Sequence, residues 1–511
     1  MSERLNPSPS GVLGVVDPYP SGVRDDEVRR VLTDANPWWR AAASGADPTS
    51  WVTGHRLLRD RRAHDVGFRQ PVLADVSSAP LSDLLSVLTG PRRIGKSVAL
   101  LDAAAALCAR RDVDPRQVIH LPCDGMRDRD LRRALTLARE LTRSVDVEGA
   151  RRRVWLLDEV TTLPGWSAVL KAARDGTAFG DDTVVATGSR WVRDEDVEGN
   201  LMTGRAGTTA GRRRRLALPM SFKDFLAATR PDLARPGAVH PAALQEPEVA
   251  GVLSELAFDV DAYDLAWQDY LTCGGFPRAV AEYARTGAVS QPYLRDLAAW
   301  LRSDVDPEAA AESVPALVAE IARRSTSPLN VTATATALGY TGRTAFEGRL
   351  RRLVSAFAAL WCERRDGGRR VVGAQAKLYL TDPVLAWLPG RLRAGLPDPD
   401  MTQLTEAVLA VTLARAVDDL EEGRWLSADT IGFERTASGK EIDLAPVSVP
   451  TATGAALSVP MEAKWVDHGW RAEARTMDGK HRRGILATKS VLDTSGAVWA
   501  VPAPLVALLL A

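Results

Sequence analysis

The hydrophobic rhythm of the chain changes several times. From Asp83 onward, short apolar runs alternate with helical stretches: LLSVLTG, SVALLDAAAALCARR, QVIHLPC, DLRRALTLARELTR, RRVWLLDEV and TVVATGS. That alternation predicts an α/β region, a parallel sheet wrapped by helices. From Met220 to about Ser303 the pattern is mostly helical. From Val305 to about Leu388 it predicts three helices and a strand pair, and after Met401 one helix followed by strands. The segment before Asp83 is rich in Pro, Gly and Asp around the pair Trp38 and Trp39, and predicts a loose arm with short helices. The terminal VWAVPAPLVALLLA predicts a final strand and a short buried helix, with a membrane anchor as the lesser alternative. No internal repeat or long low-complexity tract interrupts the chain.

Composition narrows the class. A length of 511 residues corresponds to roughly three or four domains. Hydrophobic residues at 45% and charged residues at 25% are ordinary for a soluble globular protein. The 65 basic and 65 acidic side chains cancel, which excludes a histone-like coat for nucleic acid but leaves room for a local basic groove. Cys108, Cys123, Cys273 and Cys362 form no CxxC pair, so a disulfide framework or zinc finger is disfavoured and a reducing compartment fits. The opening MSERLNPSPSGVLGVVDPYP has no apolar signal-peptide core. No apolar run reaches the roughly 18–20 residues of a bilayer span. A cytoplasmic protein without a membrane partner is therefore expected. Only eight of the 65 basic side chains are lysine: Lys96, Lys171, Lys223, Lys377, Lys440, Lys464, Lys480 and Lys489. A lysine inside a chemical motif is therefore poorly explained as a generic basic position.

The first such lysine lies in Gly90, Pro91, Arg92, Arg93, Ile94, Gly95, Lys96 and Ser97, which fits G-x-x-x-x-G-K-[ST] and is followed by Val98. An apolar strand runs into this loop and an Ala-rich helix leaves it. Glycines let the backbone curl so that its N–H groups face a phosphate, and the helix N-terminus adds a positive dipole end. Lys96 can reach the β- and γ-phosphates of ATP, and the Ser97 hydroxyl can ligate Mg²⁺. An ordinary Gly-rich turn is the competing reading, and the strand, loop and helix in this order disfavour it. The run Val154-Trp155-Leu156-Leu157-Asp158-Glu159 predicts a buried strand with carboxylates at its C-terminal tip, where open α/β sheets bind ligands. Asp158 is the candidate Mg²⁺ residue and Glu159 the candidate for polarising the attacking water. The intervening unit, Gln117 to Arg143, suggests a strand inserted between the loop strand and the acidic strand. At the tip of TVVATGS, Thr187 or Ser189 can sense a γ-phosphate, although TGS is also a common turn. In Gly211-Arg212-Arg213-Arg214-Arg215, Arg212 is a candidate for stabilising charge on a neighbouring subunit's phosphate, which implies a homo-oligomer. A solvated basic edge or a nucleic-acid contact is an equal alternative for this run, and Arg205 is a second candidate arginine.

The order LTGPRRIGKS, LLDEV, LPGW…LK, ATGS, GR…LALPMSFKDFL, YLTCGGFP, KLYLTDP, GKEIDL and MEAKW resembles the bacterial and archaeal AAA+ ATPases that carry a C-terminal domain of unknown function. The resemblance covers the chain from Asp83 to its C-terminus. It implies an ATPase core, a helical lid, a winged helix and a nuclease-like C-terminal fold. It also implies that Gly95, Lys96 and Ser97 belong to the nucleotide loop and that Asp158 and Glu159 take the magnesium and water positions. Arg212 sits near the family's GR pair. The chain departs from the pattern in its long N-terminal arm and in the basic stretch at Arg212.

Two further segments carry candidate chemistry. The helices predicted at Val314, Val331 and Arg343 have helix-turn-helix spacing, and ERRDGGRRVVG with KLYLTD predicts a two-stranded wing. Such a module can lay its third helix in a DNA groove, with Arg343, Arg349, Arg351 and Arg352 near the backbone. A packing role within the chain is the stronger reading, because Phe346, Leu350 and Leu353 already claim the buried face. In the C-terminal segment, GKEIDL and MEAKW flank a hairpin turn at TATGA. Glu462 and Lys464 share a strand face that Asp443 can meet, and Glu406 on the preceding helix can complete the set. This resembles the PD-(D/E)XK nuclease pattern: Asp443 and Glu462 as ligands of a second Mg²⁺ or Mn²⁺, and Lys464 positioning water or a phosphate. A surface ion-pair ladder, or a nuclease fold without activity, is the alternative.

The expected chain is therefore α/β: an arm (1–80), a P-loop ATPase core (81–219), a helical lid (220–303), a winged helix (304–390) and an α+β restriction-endonuclease-like domain (391–511). The expected function is an Mg²⁺-dependent ATPase coupling nucleotide state to a DNA-binding or nuclease-like module. The alternative is a nucleotide switch that assembles with protein partners and carries an inactive nuclease-like fold.

Overall fold

The structure is a computed structural model that describes residues 25–147, 151–176, 178–190, 201, 205, 207, 212–235, 237–307, 313–340, 342–393, 395–425 and 427–511. Its first sheet is built from β1 (Leu84–Thr89), β2 (Val118–Pro122), β3 (Val154–Asp158), β4 (Thr183–Gly188) and β5 (Arg214–Leu216). All neighbours are parallel, in the order β2-β3-β4-β1-β5. Strands β1 and β4 are buried along their whole length, as expected for unbroken apolar runs in a parallel sheet covered on both faces. The strand between the loop strand and the acidic strand is β4. The Gln117–Arg143 unit, expected there, instead supplies β2 at the outer side of β3. Crossover helices let consecutive parallel strands land several positions apart, so order along the chain does not set order in the sheet.

Residues 25–80, expected as a loose arm, form short helices docked on the β2 edge. The Asn36 amide donates to the His120 carbonyl at 2.8 Å and accepts from the His120 N–H at 2.6 Å. The indole N–H groups of Trp38 and Trp39 both donate to the Val118 carbonyl at 2.9 Å. These side chains satisfy backbone groups that an open sheet edge would leave exposed to other chains.

After β5 come helices Phe222–Thr229, Pro247–Leu256, Val260–Cys273, Pro277–Thr286 and Gln291–Val305. Three of the sequence motifs meet here in one knot. The Met220 N–H donates to the Gly275 carbonyl at 2.7 Å, and the Gly275 N–H donates to Asp382 at 2.7 Å. A Cβ on Gly275 would stand 2.1 Å from the Met220 carbonyl oxygen, so no other residue fits. LPMSF, CGGFP and TDP are thus tied to one another by packing.

Helices Ser313–Arg324, Val331–Ala337 and Arg343–Ser355 lead into β6 (Ala359–Asp366), β7 (Arg369–Arg370) and β8 (Lys377–Leu380). Strand β6 turns at Gly367-Gly368 into β7 and pairs antiparallel with β8 through its first half. Its second half pairs in parallel with β9 (Gly432–Arg435), so this sheet continues into the C-terminal region. That region begins with helix Met401–Leu420. Beyond β9 it contains β10 (Glu441–Ile442), the hairpin β11 (Ser448–Thr451) and β12 (Gly454–Leu457), and β13 (Met461–Ala463). Helix Trp470–His481, β14 (Gly484–Thr488) and β15 (Val498–Pro502) follow, with β13, β14 and β15 parallel. The apolar terminal helix Ala503–Leu510 packs against helices Phe222–Thr229 and Met401–Leu420. Among the described residues no helix is long and apolar enough to cross a membrane.

Candidate functional site

The loop after β1 curls as its glycines allow. Gly90 passes so close to the next strand that a Cβ would meet the Ala217 carbonyl oxygen at 2.0 Å. Gly95, in the left-handed region at φ 96°, opens the helix Lys96–Cys108. A β-carbon would be strained there. The buried Lys96 ammonium donates to the carbonyls of Gly90 (3.0 Å) and Pro91 (2.9 Å) and lies 3.7 Å from Glu159. Burial pushes its pKa down, while Glu159 and Asp158 pull it back up. Gly95, Lys96, Ser97, Val98, Arg92 and Arg93 line a cavity of about 610 Å³ that Glu159 also faces.

Asp158 and Glu159 stand at the tip of β3 beside this cavity. Thr187 donates to Asp158 Oδ1 at 2.9 Å and accepts the Glu159 N–H at 2.8 Å. Its hydroxyl proton goes to Asp158 and its oxygen takes the Glu159 amide, so in this arrangement Thr187 positions the acids. Ser189 Oγ is buried without a hydrogen-bond partner among the described residues, and so are Glu159 Oε2 and Tyr293 Oη. Two of these orphaned atoms, on Glu159 and Tyr293, belong to residues lining the cavity and fit a polar ligand, because burying such groups unpaired is costly. Ser97 and Asp158 are the residues that would hold a Mg²⁺ bound with that ligand.

The opposite wall comes from the helical segment. Arg278, Tyr293, Trp300 and Ser303 line it. Arg278, directly after the CGGFP motif, was not among the sequence candidates, although its fixed distance from those glycines was a usable signal. The loop arginines reach the same wall. Arg92 pairs with Asp304 at 3.0 Å and Arg93 with Asp296 at 3.2 Å. Asp304 is buried and also binds Arg190 (3.3 Å) and the Trp300 indole (2.9 Å). The adjoining Val305 carbonyl and Asp306 receive Arg352 and Arg349 from helix Arg343–Ser355. Two of the four arginines considered for DNA thus face the protein. Arg343 and Arg351 pair with Glu347 at the surface.

Arg212 lies elsewhere. It pairs with Asp419 at 2.7 Å and Asp418 at 3.4 Å at the end of helix Met401–Leu420. The Arg213 and Arg214 N–H groups donate to Glu422. This run binds the C-terminal region of its own chain. Arg205 pairs with Asp175.

The C-terminal residues do converge. Leu444 bridges antiparallel to Met461, and the Ala463 N–H donates to Asp443 Oδ2 at 3.2 Å. Lys464 pairs with Glu462 at 3.2 Å. Sequence reasoning missed the centre of the cluster, Lys377 on β8. Its fully buried ammonium meets Glu406 at 2.8 Å, Glu441 at 2.6 Å and Asp443 at 3.0 Å. The Tyr379 hydroxyl donates to the same Glu406 oxygen at 2.6 Å. Burial, then Asp443, pushes the carboxyls of Glu406 and Glu462 up to about 7. Burial opposes the charge on Lys377, but Asp443, Glu406 and Glu441 together carry its pKa above the usual lysine value. The second-metal expectation does not fit this arrangement, because the ammonium holds the oxygens a metal would need. Among the described residues no three His, Cys, Asp or Glu side chains are placed to hold a metal ion.

No curated protein matches the chain. Among solved structures, the chain is similar to the Walker-type ATPase PABY2304 of Pyrococcus abyssi, at 15% identity and TM-score 0.35, over 60% of this chain and 90% of that one. It is also similar to the Aeropyrum pernix ORC1 protein solved in complex with DNA, at 15% identity and TM-score 0.26, over 69% and 92%. Residues 264–388 match a domain of unknown function, DUF8612. Residues 82–226, which hold the phosphate loop, the acidic strand and Ser189, match the AAA domain family, and their parallel sheet with its helices fits a P-loop α/β core.

Proposed function

We propose that the chain is a Mg²⁺-dependent ATPase that transmits its nucleotide state to the wing module. The observation that carries this reading is the meeting of Lys96, Ser97 and Glu159 at one cavity, with Asp158 next to Glu159 at the tip of β3, and a far wall bound to the loop through Arg92–Asp304. Lys96 supplies a point charge to the β- and γ-phosphates. Ser97 and Asp158 hold the magnesium, which neutralises phosphate charge when bound. Glu159, with one carboxylate oxygen unpaired, orients the attacking water. Ser189 takes the γ-phosphate contact. The loop with its flanking residues Gly90 to Val98 cradles the phosphates, and the wall residue Arg278 adds a cation to them.

In this reading the chain divides into the arm (1–80), core (81–219), lid (220–303), winged helix (304–390) and nuclease-like domain (391–511). The helix, the five short strands β9 to β13, the helix Trp470–His481 and β14 from Met401 to Thr488 support the last assignment. DNA is the proposed partner, and a homo-oligomer the proposed assembly. The test is ATP turnover with and without DNA. Lys96→Ala is expected to abolish ATP binding, and Glu159→Gln to retain binding while hydrolysis falls by about 100-fold or more. Normal ATP affinity in Lys96→Ala would discard the site. A second reading, a nucleotide switch with a silent nuclease-like fold, is favoured by the ammonium inside the carboxylate cluster.

A further inference from the structure

The C-terminal cluster contains more than the four residues its sequence pattern requires. Glu406 comes from helix Met401–Leu420, Glu441 and Asp443 from β10 and the residues after it, and Glu462 from β13. Lys377 comes from outside this set, on a strand that belongs to the wing sheet through its pairing with β6. An ammonium has three N–H donors, and here three carboxylates surround it at 2.6, 2.8 and 3.0 Å. Asp443 Oδ1, the oxygen a divalent ion would take, is already bound to this ammonium, and Asp443 Oδ2 holds the Ala463 amide. Glu462, itself more than nine-tenths buried, has Oε2 without a partner among the described residues. The pocket is thus built around a cation, and the chain supplies that cation itself.

We propose that Lys377 is the resident counter-ion of the carboxylate cluster and excludes divalent metal from it. The inference rests on reading Asp443, Glu462 and Lys464 as the phosphodiester site of a nuclease-like fold. It states that this site is closed while β8 lies against it. A buried charge cluster accepts one compensating cation. Lys377 brings its charge without dehydrating an ion, whereas Mg²⁺ or Mn²⁺ would have to displace a covalently tethered ammonium. Removing the ammonium while retaining the carboxylates should therefore create a metal site.

The test is Mn²⁺ binding to the full chain without nucleotide, read by the loss of the free-ion electron paramagnetic resonance signal. Wild type is expected to bind no Mn²⁺ at this cluster. Lys377→Met is expected to gain one site, at least about tenfold tighter than any in wild type, that disappears when Asp443→Asn is added. If Lys377→Met does not fold, Lys377→Met with Glu441→Gln lowers the uncompensated charge and is expected to gain the same site. A wild-type site that is lost in Asp443→Asn and unchanged by Lys377→Met overturns the proposal, and so does a folded lysine variant that gains none. Plasmid cleavage with Mg²⁺ separates this inference from the nuclease reading. A lysine variant that binds Mn²⁺ but does not cut sustains metal exclusion and removes the nuclease. Cutting by wild type that Glu462→Ala abolishes does the reverse.

Discussion

At the scale of single residues, the strongest demands come from polar groups that have been taken out of water. Asp382 is one. Its two oxygens accept the N–H groups of Gly275 (2.7 Å) and Val384 (2.9 Å), which joins the TDP motif to CGGFP. Burial pushes its carboxyl up to about 7, against the pull of those two amides. Its pKa is therefore higher in the folded than in the unfolded chain, where it is about 3.9. The fold binds this proton more tightly, so its contribution to stability is complete below about pH 4 and is lost as pH rises through about 7. Asp382→Asn keeps one acceptor but turns an N–H group toward another N–H donor. It should cost about 1–3 kcal/mol and flatten the slope of stability between about pH 4 and 7. Denaturant melts across that range check both, and an unchanged slope would remove Asp382 from the account.

The lysine census works at this scale too. It drew attention to Lys96 and Lys464, and the structure adds Lys377, another of the eight. Glu406 and Asp443 are 29 and 66 positions from Lys377. No local pattern connects residues at such distances, so the lysine could be noticed in the chain but not assigned.

At the scale of elements, edges and joints decide what forms. Strand β2 is an outer strand of its sheet, and its exposed backbone is covered by one amide and two indoles from the arm. Asn36→Ala removes a buried partner from both the N–H and the carbonyl of His120. It should destabilise the chain by about 2–4 kcal/mol, read by urea denaturation. A loss under about 0.5 kcal/mol would mean that the edge does not depend on this cover. Periodicity had marked the β2 run as a strand, but not as an edge. The Pro-, Gly- and Asp-rich composition of the arm hid its docking role, because helices this short gain their stability from contact and not from propensity.

At the scale of the whole molecule, the regions are held by charges and by shared sheets. Strand β6 pairs with β9 across the expected boundary near residue 390, and Arg212 binds the end of helix Met401–Leu420. The carboxylates that hold Lys377, those of Glu406, Glu441 and Asp443, all come from beyond that boundary. A chain cut after residue 390 would leave a buried ammonium without them, a loss of about 3–5 kcal/mol from this one cluster. Such a fragment is expected to be aggregated or partly unfolded by size-exclusion chromatography and circular dichroism. A monodisperse, cooperatively melting fragment would contradict the joint.

The wall of the nucleotide cavity is a second joint of this kind. Asp304→Asn removes the charge opposite Arg92 and Arg190, and should lower the melting temperature while leaving Lys96 and Ser97 in place. If the path through Val305 and Asp306 couples the core to helix Arg343–Ser355, any effect of DNA on ATP turnover should shrink in this variant. An intact DNA effect would point to another route.

The phosphate loop, the acidic strand and the alternating core could be read directly from the chain, because each depends on contiguous residues: a glycine where the backbone must curl, an apolar run where a strand is covered on both faces. The identity of the neighbour across a sheet, the side of the molecule an arginine faces and the cation inside a carboxylate cluster belong to packing. They are settled by which distant segments exclude water together, and Thr187, Arg212 and Lys377 take their roles from partners that local order along the chain does not specify.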